Sequence, residues 1–542
     1  MNTILVNGKV LLENGTFAEA IAIENGLISA IGSNVEISAL KDDATDIIDA
    51  RGNLVLPGFN DSHLHFHNLG SFLASLNLYG VSSIKEIIAK SKDFIASRTF
   101  EPNQAVVGRG WNQDYFSDEK RLLNRHDLDQ ISTEYPLIFK RACGHVTVCN
   151  TRALELAGIT SATPQVEGGV FEIGDDGEPN GVFNENAMRL VDGLLPEASL
   201  ESVKEKILVA AQHAISNGLT SVQTNDLNYG TAEYPYMIQA YQELAAANQL
   251  PIRVYLQCTF SEPTGFQSFI DQGYYTGYGD DRFKIGPLKM FVDGSLGART
   301  ALMRKPYHDD ASTCGVECLT QDQLNTMVKL ADDNKFQVMV HAIGDEAICR
   351  VLTSYENVYN PDTNNPLRHG VNHCQITDIP MLERFRDSNV IAFVQPIFLH
   401  YDLHIVADRV GDELASTSYA FNTMEELGIH TAYGTDAPVE DLKPFECIYC
   451  AVTRKDLTGN PSNGYYPNEC VSIEKAIERY TIGSAYASSE EDIKGTLEVG
   501  KLADLVVVDK DLFTIDDDEI KNTHVVLTMV GGEVVYTNDS IA

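Results

Sequence analysis

Through the middle of the chain, short apolar runs alternate with amphipathic stretches. Eight runs have the length and the β-branched or aromatic content of strands: 54–66 (LVLPGFNDSHLHF), 218–226, 252–260, 287–295, 337–345, 368–375, 391–398 and 429–438. Between most of them apolar residues recur at helical spacing, as in 200–217 and 321–334. Strand–helix alternation implies parallel pairing, and eight such units predict a closed (β/α)8 barrel of the TIM type. An open doubly wound sheet is the structural rival, but no GxGxxG follows the first strand. The two ends read differently, as short strands punctuated by turns at Asn7-Gly8, Asn14-Gly15, Asn25-Gly26 and Gly531-Gly532. They predict a small β-sandwich assembled from both termini, 1–56 plus 490–542, around a barrel over 57–489. The connection from His67 to Asn217 is too long for a structureless loop. Residues 95–195 are expected to form an inserted α/β subdomain over the barrel mouth.

Composition narrows the partners. Lys plus Arg count 40 and Asp plus Glu 77, a net charge of -37. So acidic a surface repels phosphate backbones and anionic lipid heads, which argues against nucleic acid and membrane partners and leaves a small-molecule substrate. A homodimer is compatible with this reading. The N-terminus lacks a basic region followed by a long apolar one, and no apolar run reaches the ~18 residues of a membrane span. The scattered cysteines, including Cys447 and Cys450 in one CxxC, read as ordinary reduced thiols, so a cytoplasmic location is expected.

The candidate chemistry lies at the strand ends. The first strand closes on His63-Leu64-His65, and residues two apart share a face, so both imidazoles can point inward and bind one metal. His67 continues the alternation and reads as a packing or supporting group. The fourth strand carries Lys289 on its inward face with Phe291 and Asp293. A lysine among apolar neighbours is costly unless paired or modified. Two readings stay open: a carbamate formed with CO2 that bridges two metals, or an interior pair with Asp293. The fifth strand ends in His341, the sixth holds His373 near its end, and the eighth ends in Asp436. A single histidine at a strand end is most often structural. Ligand-type residues at the ends of five strands are another matter, because this barrel builds its active sites at that face.

These residues resemble the amidohydrolase superfamily. GFNDSHLHF resembles its first metal motif, and KGTLEVGKLADLVVVD its return into the terminal sandwich. LKMFVDGSLGARTA, VHAIGDEA and GRGW … GHVTVCNTRALELAGI are similar to its type 3 branch, which includes N-substituted formamide deformylase-like enzymes. The resemblance implies hydrolysis of a non-peptide C–N bond, amide or formamide-like, by a metal-activated hydroxide. It implies that His63 and His65 bind one divalent ion, expected to be zinc, and that His341 and His373 bind a second. Carboxylated Lys289 would bridge them, with a single ion as the alternative, and Asp436 would be ligand and catalytic proton shuttle. Trp111 and His145, in the insertion, are expected to line the substrate pocket, with a core anchor of the insertion as the other open reading of Trp111. A deaminase on the same fold is the rival activity. Deaminases of the adenosine or cytosine type are expected to carry a glutamate three residues after the strand-five histidine, where this chain has Gly344. A non-catalytic scaffold is a second rival, disfavoured because no expected ligand is missing.

Overall fold

The computed structural model describes residues 3–101, 103–142, 145–195, 199–228, 234–359 and 365–538. The chain divides into two compact units, one of 1–68 with 203–542 and one of 69–202.

The first unit holds an eight-stranded, all-parallel sheet whose strands neighbour one another in chain order. We label them β1 (Phe59–Leu64), β2 (Leu219–Leu227), β3 (Arg253–Thr259), β4 (Phe283–Phe291), β5 (Val338–Ala342), β6 (Gly370–His373), β7 (Ile391–Val394) and β8 (Thr431–Tyr433). The helices between them are amphipathic. The helix Gln321–Asp333 starts at a Thr320/Gln323 capping box and buries Leu324, Met327, Val328 and Ala331, one face at helical spacing. The strands are buried on both faces, as a helix-wrapped barrel demands. The seam between β8 and β1 closes through Asp436 N–H to His63 O and His65 N–H to Ala437 O, each 2.8 Å. Asp61 adds a second stitch there. Its carboxylate accepts from the His63 and Thr435 amides, the Thr435 hydroxyl and the Tyr480 hydroxyl. Gly434 sits so close that a Cβ would lie 2.7 Å from His63 N, so only glycine lets the seam shut.

Pro57-Gly58 splits the first predicted strand in two. Leu54–Pro57 joins a six-stranded sheet, where it lies between Lys9–Leu11 and Leu505–Val508, and Phe59–Leu64 enters the barrel. That sheet interleaves the two termini. A four-stranded sheet of Leu27–Gly32, Ala20–Glu24, Thr3–Val6 and Asp46–Asp49 completes the terminal β-structure. Both sheets contribute to one apolar core, including Leu5, Ile21, Val55, Val507 and Leu527. A buried ion pair, Arg253 Nε to Asp504 Oδ2 at 2.7 Å, ties the start of β3 to the C-terminal segment.

The second unit begins earlier and ends later than the 95–195 expected from the sequence. It carries a six-stranded mixed sheet over Leu76–Glu185 with its own apolar core. No helix among the described residues is long and apolar enough to cross a membrane.

Candidate metal centre

The inward faces of β1, β4, β5, β6 and the end of β8 bring together the six residues expected from the sequence. His63, His373 and Asp436, all buried, offer ligand atoms within 4.8 Å of one another. Asp436 Oδ1 lies 3.3 Å from His63 Nε2 and 3.2 Å from His65 Nε2. Lys289 Nζ lies 3.3 Å from His63 Nε2, and the His341 and His373 rings are 4.4 Å apart. Two of these residues pay for their positions in backbone strain. His373 has φ 81° and Asp436 φ 59°, left-handed conformations that are uncommon for residues with a Cβ and cluster at functional sites.

Neighbouring strands set the imidazole tautomers. His63 Nδ1 is 2.9 Å from Gln257 Oε1, and that amide is oriented by its own donation to Gln223 O and Ser62 O. An amide oxygen only accepts, so Nδ1 carries the proton and Nε2 keeps its lone pair. His65 Nδ1 faces the Asn225 carbonyl at 3.1 Å with the same result. His373 Nδ1 is 2.8 Å from Gln395 Oε1, Gln395 Nε2 donates to Asn372 Oδ1 at 3.1 Å, and Asn372 Nδ2 lies 2.9 Å from His373 Nε2. His341 Nε2 faces the Gly294 carbonyl at 2.9 Å.

Electrostatics favour neutral imidazoles. Burial, then the charge of Lys289, holds His63 well below the usual histidine range and brings His341 to about 4. Burial, His341 and Lys289 do the same to His373. Burial also lowers Lys289 to about 7, against the pull of Asp436. Asp436 Oδ1 is buried and makes no hydrogen bond. The Nε2 lone pairs of His63 and His65 beside an unsatisfied buried carboxylate oxygen fit a divalent cation, while the His373 Nε2 lone pair meets the Asn372 amide at 2.9 Å; histidine with carboxylate suits zinc.

Several expectations change here. Asp293 is not the partner of Lys289. Its carboxylate accepts the amides of Leu302 (2.9 Å), Ile343 (3.1 Å) and Gly344 (2.8 Å), with His341 Nε2 at 3.5 Å. It therefore anchors the loops after β4 and β5. Trp111, expected to line substrate, is completely buried in the core of the second unit, and its indole N–H donates to Phe139 O. It is a packing anchor. His145 is exposed and pairs with Glu185 at 3.0 Å. His67 is buried, and its backbone amide donates to Asp226. Sequence reasoning passed over Asp61, Gln257 and Gln395. Asp61 shares the inward face of β1 with His63 and His65, and that spacing is a signal. The glutamines carry none, since their roles depend on cross-strand register.

A parallel barrel with histidines, a lysine and an aspartate converging at its C-terminal strand ends defines the class of protein. The chain belongs to the amidohydrolase family, whose model matches residues 46–536. It is similar to YtcJ of Bacillus subtilis, 33% identical over 530 residues and covering 97% of each chain. The N-substituted formamide deformylase of Arthrobacter pascens is 24% identical over 557 residues, covering 98% of this chain and 97% of its own. Among solved structures, an uncharacterized metal-dependent hydrolase from Pyrococcus furiosus is 28% identical with a TM-score of 0.75, covering 94% of this chain and 99% of its own.

Proposed function

We propose that this protein is a metal-dependent hydrolase of a non-peptide C–N bond in a small amide or N-substituted formamide. One observation carries the reading: His63, His65 and His373 gather at Asp436, whose Oδ1 is buried without a hydrogen bond, with Lys289 beside His63 and His341 beside His373. The similarity to an N-substituted formamide deformylase supports the choice of bond.

His63 and His65 would hold one ion and His341 and His373 a second, with Asp436 as a further ligand. Lys289 would bridge as a carbamate. Addition of CO2 needs the neutral amine, and burial that brings Lys289 to about 7 makes that form abundant near neutrality. Bound divalent ions supply Lewis-acid polarisation of the scissile carbonyl and acidify water toward neutrality. The chain's own residues do the rest. Asp436 takes a proton from the attacking water as its oxygen bonds to the carbonyl carbon. It returns that proton to the leaving nitrogen as the C–N bond breaks, yielding a carboxylic acid and an amine. Gln257, Gln395 and the Asn225 carbonyl keep the imidazole lone pairs aimed at the centre. His145 remains a proposed substrate-binding residue.

The test combines metal analysis with a screen of N-formyl and N-acyl amines. Purified protein should carry divalent metal, release amine from at least one such compound, and lose both turnover and melting temperature on chelation, since a ligand that binds only the folded state stabilises it. Chelated protein with unchanged turnover and melting temperature would refute the proposal.

A further inference from the structure

The loops that follow β6, β7 and β8 carry a group of acceptors in which Glu440 and the Gln375 carbonyl oxygen make no hydrogen bond with the described residues. Glu440 lies four residues beyond Asp436, and its side chain is only 18% exposed. Its nearest partner among the described residues is His400 Nε2, at 3.9 Å, beyond hydrogen-bonding distance. His400 follows Phe398, whose ring stacks on His373 at 5.7 Å, so this segment lies directly against the metal centre. The largest charges felt by Glu440 are acidic: Asp402, Glu446, Asp441 and Asp436. Burial and then those charges raise its carboxyl to about 7.

A second observation points the same way. Gln375, two residues past His373, is 4% exposed and donates through Nε2 to Asp402 Oδ2 at 3.2 Å. Tyr419 donates to the same Asp402 oxygen. The Gln375 carbonyl oxygen, Oε1, is buried and accepts nothing. Burying an amide oxygen without a donor is unfavourable, and a half-buried carboxylate among like charges is unfavourable as well. Both unmet acceptors belong to loops at the C-terminal end of the barrel, where substrate specificity resides in this fold. A positively charged group rich in N–H donors would complement both.

We propose that Glu440, with His400 and the Gln375 carbonyl, forms the recognition site for a protonated amine on the substrate, so that the preferred compounds are amides or formamides bearing a second, free amino group. The proposal rests on the C–N hydrolase reading for the bond cleaved, but recognition of the ammonium stands on its own. An arriving ammonium restores the Glu440 charge that burial and its acidic neighbours suppress, and gives Gln375 a donor. The net charge of -37 draws cations toward the surface over longer range.

The experiment compares two nearly isosteric compounds on metal-loaded, full-length protein: N-(4-aminobutyl)formamide and N-pentylformamide. Wild type should favour the amine in kcat/KM by about tenfold to a hundredfold, the range of one hydrogen bond to a charged group. Glu440→Gln should erase that preference through KM, with kcat on the neutral compound within about twofold and melting temperature unchanged. Gln375→Leu should reduce it in part. Calorimetric binding of 1,4-diaminobutane to wild type and Glu440→Gln gives a readout that needs no turnover. Binding to wild type alone, with neither formamide cleaved, would sustain the ammonium site and count against the hydrolase reading. Equal handling of the two compounds by wild type, a preference that survives Glu440→Gln, or no diamine binding by wild type would overturn the inference.

Discussion

Gln395→Leu is the sharpest probe of how this protein prepares its histidines. Gln395 is 3% exposed and closes a circuit of three contacts: His373 Nδ1 to Gln395 Oε1 (2.8 Å), Gln395 Nε2 to Asn372 Oδ1 (3.1 Å) and Asn372 Nδ2 to His373 Nε2 (2.9 Å). Leucine fills similar space but removes the first two. That strands the His373 Nδ1 proton and the Asn372 carbonyl away from water, at about 1–3 kcal/mol each. The metal-free variant should therefore lose about 2–6 kcal/mol of stability. Imidazole can escape part of that cost by moving its proton to Nε2, which withdraws the lone pair a metal needs. Metal affinity should fall by about 10–100-fold, or ~1.4–2.7 kcal/mol, the usual loss when the partner of a ligating histidine is removed. Denaturant melts of chelated protein measure the first quantity, and competition with a chromophoric chelator the second. Gln395→Glu keeps an acceptor for Nδ1 and should bind metal at least as tightly as wild type. If the leucine variant matched wild type in chelator competition, His373 would not be held in place through this circuit.

Three further outcomes follow from the same site and its surroundings. Asp436→Asn should preserve fold and most metal but lower kcat at least about a hundredfold; near-normal turnover with a lowered melting temperature, both measured on one preparation, would make Asp436 a loop buttress instead. Lys289→Ala should lose most metal and activity and regain part of both with short carboxylic acids, whereas two bound metals and full activity without them would exclude the carbamate bridge. Glu490 tests the pH dependence of stability. Burial would raise its carboxyl, but Lys494 Nζ at 2.6 Å and Lys284 Nζ at 2.8 Å outweigh it and hold it at about 2, below the ordinary 4.5. A depressed folded pKa contributes stability above 4.5 that disappears as pH falls through about 2, an order of 3 kcal/mol. Glu490→Gln should show a correspondingly flatter stability curve over that window by denaturant titration, and parallel curves would refute the assignment.

The barrel and the residues that converge at its strand ends were legible because their signals are local. Alternation placed His63, His65 and Lys289 on inward faces, and strand ends placed His341, His373 and Asp436. Boundaries were less so. β4 begins at Phe283, not 287, because Phe283 and Ile285 pair with Val254 and Leu256 across the sheet. Asp293 looked like the partner of Lys289 because the two share a strand face. The amides that claim it come from residues 302, 343 and 344, and no strand pattern announces loops folding back over a strand end. Trp111 sits in an apolar segment between Gly110 and Asn112, where burial in a subdomain core and exposure to a ligand read alike. Gln257 and Gln395 are neutral amides, and only the assembled barrel, with β2 between β3 and β1 and with β7 beside β6, reveals what they hold.

Gly344 bears on the choice between amide hydrolysis and deamination. A deaminase of this fold is expected to deliver protons from a glutamate at this position, three residues past His341. Here a Cβ would lie 2.1 Å from Leu302 O and 2.5 Å from its carbonyl carbon, distances no side chain tolerates. The surrounding bonds fix that closeness. Gly344 N–H donates to Asp293 Oδ2 at 2.8 Å, the Leu302 amide donates to the same oxygen at 2.9 Å, and Leu302 O accepts the amides of Glu346 and Ala347. One buried carboxylate thus pins the loop after β4 against the start of the helix after β5. Inserting a glutamate would break both anchors and strand several amides at a cost of about 1–3 kcal/mol each. The loop architecture therefore leaves no room for a second proton carrier beside His341. In the proposed mechanism proton transfer falls to Asp436, the carboxylate whose unsatisfied oxygen faces the histidines of β1, and a single shuttle of that kind suits cleavage of an amide with departure of an amine.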